Sequence, residues 1–136
     1  MAIYQMRLSA GDIMQLWVYD GNVYLCHRSN MVQARKESYI FRALMDGELK
    51  AVEDAWCVTL TQLPDEWRKA ARIETDGAEI TVMERETFLN RFYTGFARLP
   101  DGSHTRLEGE YASLMTAVRV LRAQVIRARI LNGGAA

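Results

Sequence analysis

The feature that most constrains this chain is its final regular segment. Residues 110–131 contain neither Pro nor Gly, and Asn132-Gly133-Gly134 then supplies a strong helix stop. A helix of about 22 residues is about 33 Å long at the usual rise per residue. The sequence therefore predicts a long C-terminal helix, and the remaining elements must provide a surface on which it packs.

This helix has more apolar residues than one buried stripe needs. A stripe about 100° wide, as expected for packing on a sheet, is formed by Leu114, Ala117, Val118, Leu121, Val125 and Ala128. Three further apolar residues fall outside it, among arginines, on a side that a simple surface helix keeps polar. We call this second side the arginine-rimmed face; it comprises Met115, Arg119, Arg122, Ile126, Arg129 and Ile130.

Three interpretations of the arginine-rimmed face remain open. The domain could cover both sides of a central helix, or the face could bind a protein, either a second copy or a larger partner. The third interpretation is nucleic-acid contact through basic side chains. That alternative site would comprise Arg28, Arg35, Lys36, Arg119, Arg122, Arg127 and Arg129. Isoleucines among the arginines, and fourteen acidic residues within residues 44–110, would weaken contact with phosphates.

The beginning of the chain has the alternation of a half-buried sheet. Tyr4, Met6 and Leu8 alternate with polar residues, which predicts a first strand. Apolar residues on one face of residues 14–18 continue after Asp20-Gly21-Asn22, which predicts a hairpin with a two-residue turn. On the other face, Trp17 should lie opposite Tyr24 and help to fix the register.

The next segment predicts a helix, a strand and a second helix. Ser29 can cap a helix over residues 30–45. Gly47, just past the end of this segment, is a typical helix stop. Alternation over residues 56–61 predicts a strand. Pro64, followed by two acidic residues, is typical of the first turn of a short helix.

The third quarter of the chain predicts a strand around Ile80 and Val82 and then a helix over residues 84–92, with Phe88 and Leu89 on its apolar side. Residues 96–99 and 105–107 flank Pro100-Asp101-Gly102, which has the composition of a tight turn. These segments predict a second hairpin.

These elements together predict an α+β fold. It contains an antiparallel or mixed sheet, built from two hairpins and additional strands, with about four helices including the long C-terminal one. No linker or repeat divides the sequence, so we predict a single compact domain over residues 1–136. The absence of an apolar run of about 18 residues argues against a membrane span, and the start of the chain lacks a secretory pattern, so we expect a cytoplasmic protein.

Side chains for catalysis or metal binding are sparse in the sequence. His27 adjoins Cys26, but neighbours on a strand point to opposite faces, and His104 lies at a predicted turn. Metal-ligand spacings and a glycine-rich phosphate loop are lacking. The paired acids have plainer roles at helix starts: Asp65/Glu66, Glu84/Glu86 and Glu108/Glu110. We therefore predict no catalytic residue, no metal and no cofactor.

The functional hypothesis is a non-catalytic module that docks on a larger protein or complex, as small inhibitors, adaptors and accessory proteins of phages or mobile elements do. The arginine-rimmed face is its first candidate surface, and a homodimer through that face is an alternative. The other hypotheses are a nucleic-acid-binding regulator that uses the arginine-rich helix and an enzyme with a site assembled from residues distant in sequence.

Overall fold

The structure, a computed structural model, describes residues 1–64 and 66–131. Within these residues the fold is α+β, and every strand pair with a defined register is antiparallel. The strands are β1 Ala2–Leu8, β2 Ile13–Tyr19, β3 Asn22–His27, β4 Asn30–Gln33, β5 Val58–Gln62, β6 Arg68–Thr75, β7 Ala78–Glu86, β8 Arg91–Arg98 and β9 His104–Arg106. The helices are α1 Tyr39–Met45, α2 Leu49–Trp56 and α3 Leu114–Leu131.

Two compact units can be distinguished. The first comprises Met1–His27 and Met31–Asp65, and the second comprises Arg28–Asn30 and Glu66–Ala136. The prediction of one domain over residues 1–136 stays a prediction.

The first unit has the strand order β5-β1-β2-β3-β4. The β2–β3 hairpin confirms the predicted turn, because Asp20 (φ 50°) and Gly21 (φ 73°) both adopt the left-handed conformation of a two-residue type I′ turn. Trp17 lies opposite Tyr24, as predicted. Helices α1 and α2 contact each other, and α1 contacts β3 while α2 contacts β5. The core of this unit includes Met6, Leu16, Val23, Leu44 and Val52.

The helix predicted over residues 30–45 is wrong in its first half. Residues 30–33 form β4, a strand of four residues in which Met31 alone is buried, so its sequence is too short to show an alternation. Helix α1 begins at Tyr39 because Ser38, rather than Ser29, caps it: the Ser38 hydroxyl accepts a hydrogen bond from the Phe41 N–H at 3.4 Å.

Helix α2 was not predicted. It occupies the residues between α1 and the predicted strand 56–61, which is displaced to β5. Cys57 ends the helix in the left-handed conformation (φ 54°), and the strand begins at the next residue.

The second unit has the strand order β9-β8-β7-β6, with α3 packed on β7, β8 and β9. The predicted hairpin around Pro100-Asp101-Gly102 is confirmed by the pairing of Phe96 with Arg106 and Ala97 with Thr105. The core on the α3 side is formed by Ala78, Ile80, Val82, Tyr93, Ala97, Leu99, Leu107, Ala117, Leu121 and Val125.

Two predicted helices are strands in this unit. The segment after Pro64 becomes β6 from Arg68, with Asp65 itself outside the described residues. The segment 84–92 is divided between β7 and β8. Acids that resembled helix N-terminal residues are cross-strand partners instead, because Glu84 lies opposite Arg68 in the β6–β7 register. The described residues therefore contain three helices rather than about four.

Candidate interaction surface

Helix α3 starts four residues later than predicted, at Leu114. Ser113 caps it: the Ala117 N–H donates to the Ser113 carbonyl at 3.0 Å, and the Thr116 N–H donates to the Ser113 hydroxyl at 3.4 Å. The predicted stop at Asn132-Gly133-Gly134 lies outside the described residues. The long C-terminal helix itself is confirmed over Leu114–Leu131.

The inner side of α3 is packed where the predicted stripe placed it. Ala117, Leu121 and Val125 are completely buried, and Gly95 of β8 allows the close approach. A Cβ at Gly95 would collide with the backbone oxygen of Thr81 and lie 3.1 Å from the Leu121 Cδ1 atom. Close packing on one side fixes which side of α3 faces outward.

The outward side is the arginine-rimmed face. The exposed fractions of Met115, Ile126 and Ile130 are 69%, 43% and 69%. The interpretation in which the domain covers both sides of the helix is therefore wrong for these three residues. At 100° per residue, the six members of the face lie within about 100° of each other around the helix.

Two of the rim arginines are held by Asp76 in the β6–β7 turn, Arg122 by its carboxylate and Arg129 by its backbone carbonyl. The Nε of Arg122 donates to the Oδ2 of Asp76 at 2.9 Å, and the Nη1 of Arg129 donates to the Asp76 carbonyl oxygen at 3.0 Å. The hydrogen bond from Arg122, supported by one from Thr75, holds the pKa of the Asp76 carboxyl below its usual range. Arg119 is also exposed, on the side of the face away from Arg129.

The residues of the predicted nucleic-acid site do not lie on one element. Arg35 and Lys36 are exposed in the first unit, after β4, and Arg28 is exposed in the second. Arg127 is exposed on α3, about 80° around the helix from Arg119. Five of the seven residues lie in the second unit, and two of these, Arg122 and Arg129, are held near Asp76.

A second exposed apolar site was missed by the sequence analysis. The turn between β7 and β8 consists of residues 87–90, and the exposed fractions of Phe88 and Leu89 are 98% and 81%. We call these four residues the β7–β8 tip. Both apolar residues lie within the segment 84–92 that the sequence predicts as a helix. The sequence offers no alternation that would have extended the strand to the tip, because residues 80–83 of β7 are all buried.

The histidines and cysteines lie in separate surroundings. Cys26 is fully buried, whereas the Nε2 of His27 lies 3.7 Å from the Oδ2 of Asp12. Cys26 and His27 are consecutive in β3, where neighbouring side chains alternate between the two faces. Within residues 1–64 and 66–131, no three His, Cys, Asp or Glu side chains are grouped as a metal site would require.

His104 lines a cavity of about 260 Å³ in the second unit, together with Ser29, Gln124 and Arg127. Burial, and secondly the charge of Arg98, lowers the pKa of His104. The Gln124 amide donates to the Thr105 hydroxyl at 3.1 Å and to the Arg106 carbonyl at 2.8 Å. The side chain of Gln124 thus joins α3 to β9.

The sequence matches no protein-family profile and no curated protein, and no solved structure matches the fold. Among the described helices, none combines the length and the apolar character needed to cross a membrane.

Proposed function

We propose that the protein is a non-catalytic docking module that binds an acidic, partly apolar surface of another protein through the arginine-rimmed face. The observation that carries this proposal is the exposure of Met115, Ile126 and Ile130 along one side of a helix whose inner side packs on the core of the second unit. Apolar groups rimmed by arginine are typical of protein interfaces.

The charge of α3 favours an acidic partner. Residues 111–131 contain four arginines and no acidic residue, so α3 itself offers no carboxylate to neutralise Arg119. Asp76 holds Arg122 and Arg129 at the edge of the face, which reduces the side-chain entropy that these arginines would lose on binding. A partner carboxylate near Arg119 would supply the missing complementarity.

The same charge disfavours a second copy of the chain as the partner. Self-association through the arginine-rimmed face would bring two helices together that each carry arginines and no acids. Like charges placed opposite each other in an interface oppose association. Because the three apolar side chains of this face are already partly buried, burying their remaining surface contributes about 3–5 kcal/mol before the cost of association is subtracted. We therefore expect a partner that adds contacts beyond α3.

The test compares the wild type with Ile126→Asp/Ile130→Asp. Both positions are exposed, so the double variant should fold with unchanged circular dichroism and melting temperature. In affinity capture from an extract of the source cells, one protein should be present with the wild type and lost with the variant. Purified, that protein should bind the wild type with an affinity at least about 30-fold higher than the variant, as expected when central apolar contacts are replaced by charge.

The matched control is Phe88→Ser/Leu89→Ser, which removes two other exposed apolar side chains from the same unit. It should capture the α3 partner as the wild type does. Light scattering at low and high salt supplies the second control. A dimer that Ile126→Asp/Ile130→Asp dissociates would replace the foreign partner with a second copy, and capture unaffected by that variant would contradict the proposal.

A further inference from the structure

Hydrogen bonds close the backbone of the β7–β8 tip although its two central side chains are exposed. The Thr87 N–H donates to the Asn90 carbonyl at 2.8 Å, and the Asn90 N–H donates to the Thr87 hydroxyl at 3.2 Å. The Thr87 hydroxyl also donates to the Asn90 carbonyl at 3.2 Å. Because these bonds close the turn, Phe88 and Leu89 can be bound without first ordering the backbone.

The strands below the tip are braced by a stacked arginine. Arg85 of β7 lies opposite Phe92 of β8, with its guanidinium carbon 4.4 Å from the centre of the Phe92 ring and 5.5 Å from that of Trp67. Its Nη2 lies 2.6 Å from the Oε2 of Glu110. These contacts anchor the base of the hairpin from which the tip projects.

The charges around the tip are paired within the second unit. The Nη2 of Arg68 lies 2.9 Å from the Oε1 of Glu84 and 3.3 Å from the Oε2 of Glu86. The Nε of Arg91 lies 3.1 Å from the Oε1 of Glu86. With the Arg85–Glu110 pair, three arginines face three glutamates. The base of the tip therefore offers no net charge to attract a charged surface.

The small apolar area of the tip limits the kinds of partner that it can bind. Phe88 and Leu89 together bury far less than the roughly 800 Å² that each side of a standard interface contributes, so two tips cannot form a stable dimer. They also carry fewer apolar carbons than one myristoyl chain, which alone anchors a protein to a membrane only marginally. The balanced charges add no attraction for anionic lipids. A concave site that surrounds both side chains uses their area best.

From these observations we propose that the β7–β8 tip is a docking prong, which inserts Phe88 and Leu89 into an uncharged apolar cleft of a protein partner. This inference is independent of the arginine-rimmed face and concerns a different element of the same unit.

The test places the photo-crosslinking residue p-benzoylphenylalanine at position 88 of the full chain, in an extract of the source cells. An adduct with one foreign protein should form. Excess unlabelled wild type and Ile126→Asp/Ile130→Asp should both prevent it, whereas Phe88→Ser/Leu89→Ser should not. In calorimetry with the purified partner, Phe88→Ser/Leu89→Ser should lower the affinity by about 30-fold or more, and Ile126→Asp/Ile130→Asp by less than about threefold.

Three results would overturn the proposal. The first is the absence of any foreign adduct that the wild type prevents and the tip variant does not. The second is crosslinking only to another copy of the chain. The third is sedimentation of the wild type, but not of the tip variant, with vesicles of phosphatidylcholine and phosphatidylserine, which would assign the tip to a lipid surface. Unchanged circular dichroism of every variant excludes misfolding as the cause.

Discussion

The second unit exposes apolar side chains at two places that differ in support and in charge. The arginine-rimmed face lies on a helix whose orientation depends on close packing of its inner side. The β7–β8 tip lies on a turn closed by hydrogen bonds between Thr87 and Asn90. Arginines accompany the first site without acids from the same helix, whereas arginines and glutamates are paired around the second. The surrounding charges, rather than the exposed apolar groups, distinguish the partners expected at the two sites.

The largest expected difference between the two sites is in the free energy of unfolding. It should fall when the packing beneath α3 is disturbed and hardly change when the tip is altered. Gly95→Ala adds one methyl group that collides with the Thr81 backbone oxygen and approaches Leu121. Because a backbone atom cannot move without shifting a strand, we expect the free energy of unfolding to fall by about 2–3 kcal/mol. Phe88→Ala removes a much larger group, yet it should change that free energy by less than about 0.5 kcal/mol, since the ring is exposed.

Urea denaturation followed by tryptophan fluorescence and circular dichroism measures both variants. Equal stability of Gly95→Ala and the wild type would show that α3 is not held by the close approach at this glycine. A large loss of stability in Phe88→Ala would show that the Phe88 ring packs on the rest of the domain and is not available to a partner.

The sequence predicts those elements whose pattern is local. The β2–β3 hairpin follows from Asp20-Gly21 and the alternation on either side, and α3 follows from an apolar stripe several turns long. The identity of the arginine-rimmed face could also be derived, because one long helix fixes the angular position of each residue. The exposure of this face could not be derived, because the helix sequence does not show whether other elements of the domain cover it.

The incorrect helix predictions arise where the same charge pattern is compatible with a helix start and with a strand. Acids at Glu84 and Glu86 resemble the first turn of a helix, but they pair with arginines on neighbouring strands. Phe88 and Leu89 resemble a core face because apolar residues are usually buried. The pairing of Asp76 with Arg122 joins residues 46 positions apart in the chain, and no local pattern specifies it.

The second-largest effect should be that of salt on binding affinity, which should differ between the two sites. Raising NaCl from about 50 to 300 mM shortens the screening length, so binding of the partner at the arginine-rimmed face should weaken by about three- to tenfold. Binding at the β7–β8 tip should change by less than twofold, because its surroundings carry no net charge. Calorimetry with each captured partner measures both constants. Equal salt dependence at the two sites would contradict the distinction between them.

The smallest effect on stability and binding should come from replacing Asp76, which contacts the arginine-rimmed face and not the β7–β8 tip. Its folded-state pKa is lowered, first by the Arg122 hydrogen bond, so its contribution to stability is fully present above the unfolded pKa and is lost as the pH falls through the folded value. Asp76→Asn should therefore be slightly less stable than the wild type at pH 7 and equally stable near pH 2. Asp101, whose pKa Ser103 lowers in the same direction, provides the control. Asp101→Asn should show the same pH trend in thermal unfolding, but only Asp76→Asn should release Arg122 and weaken binding of the α3 partner. An equal effect of both variants on that binding would show that Asp76 does not position the rim.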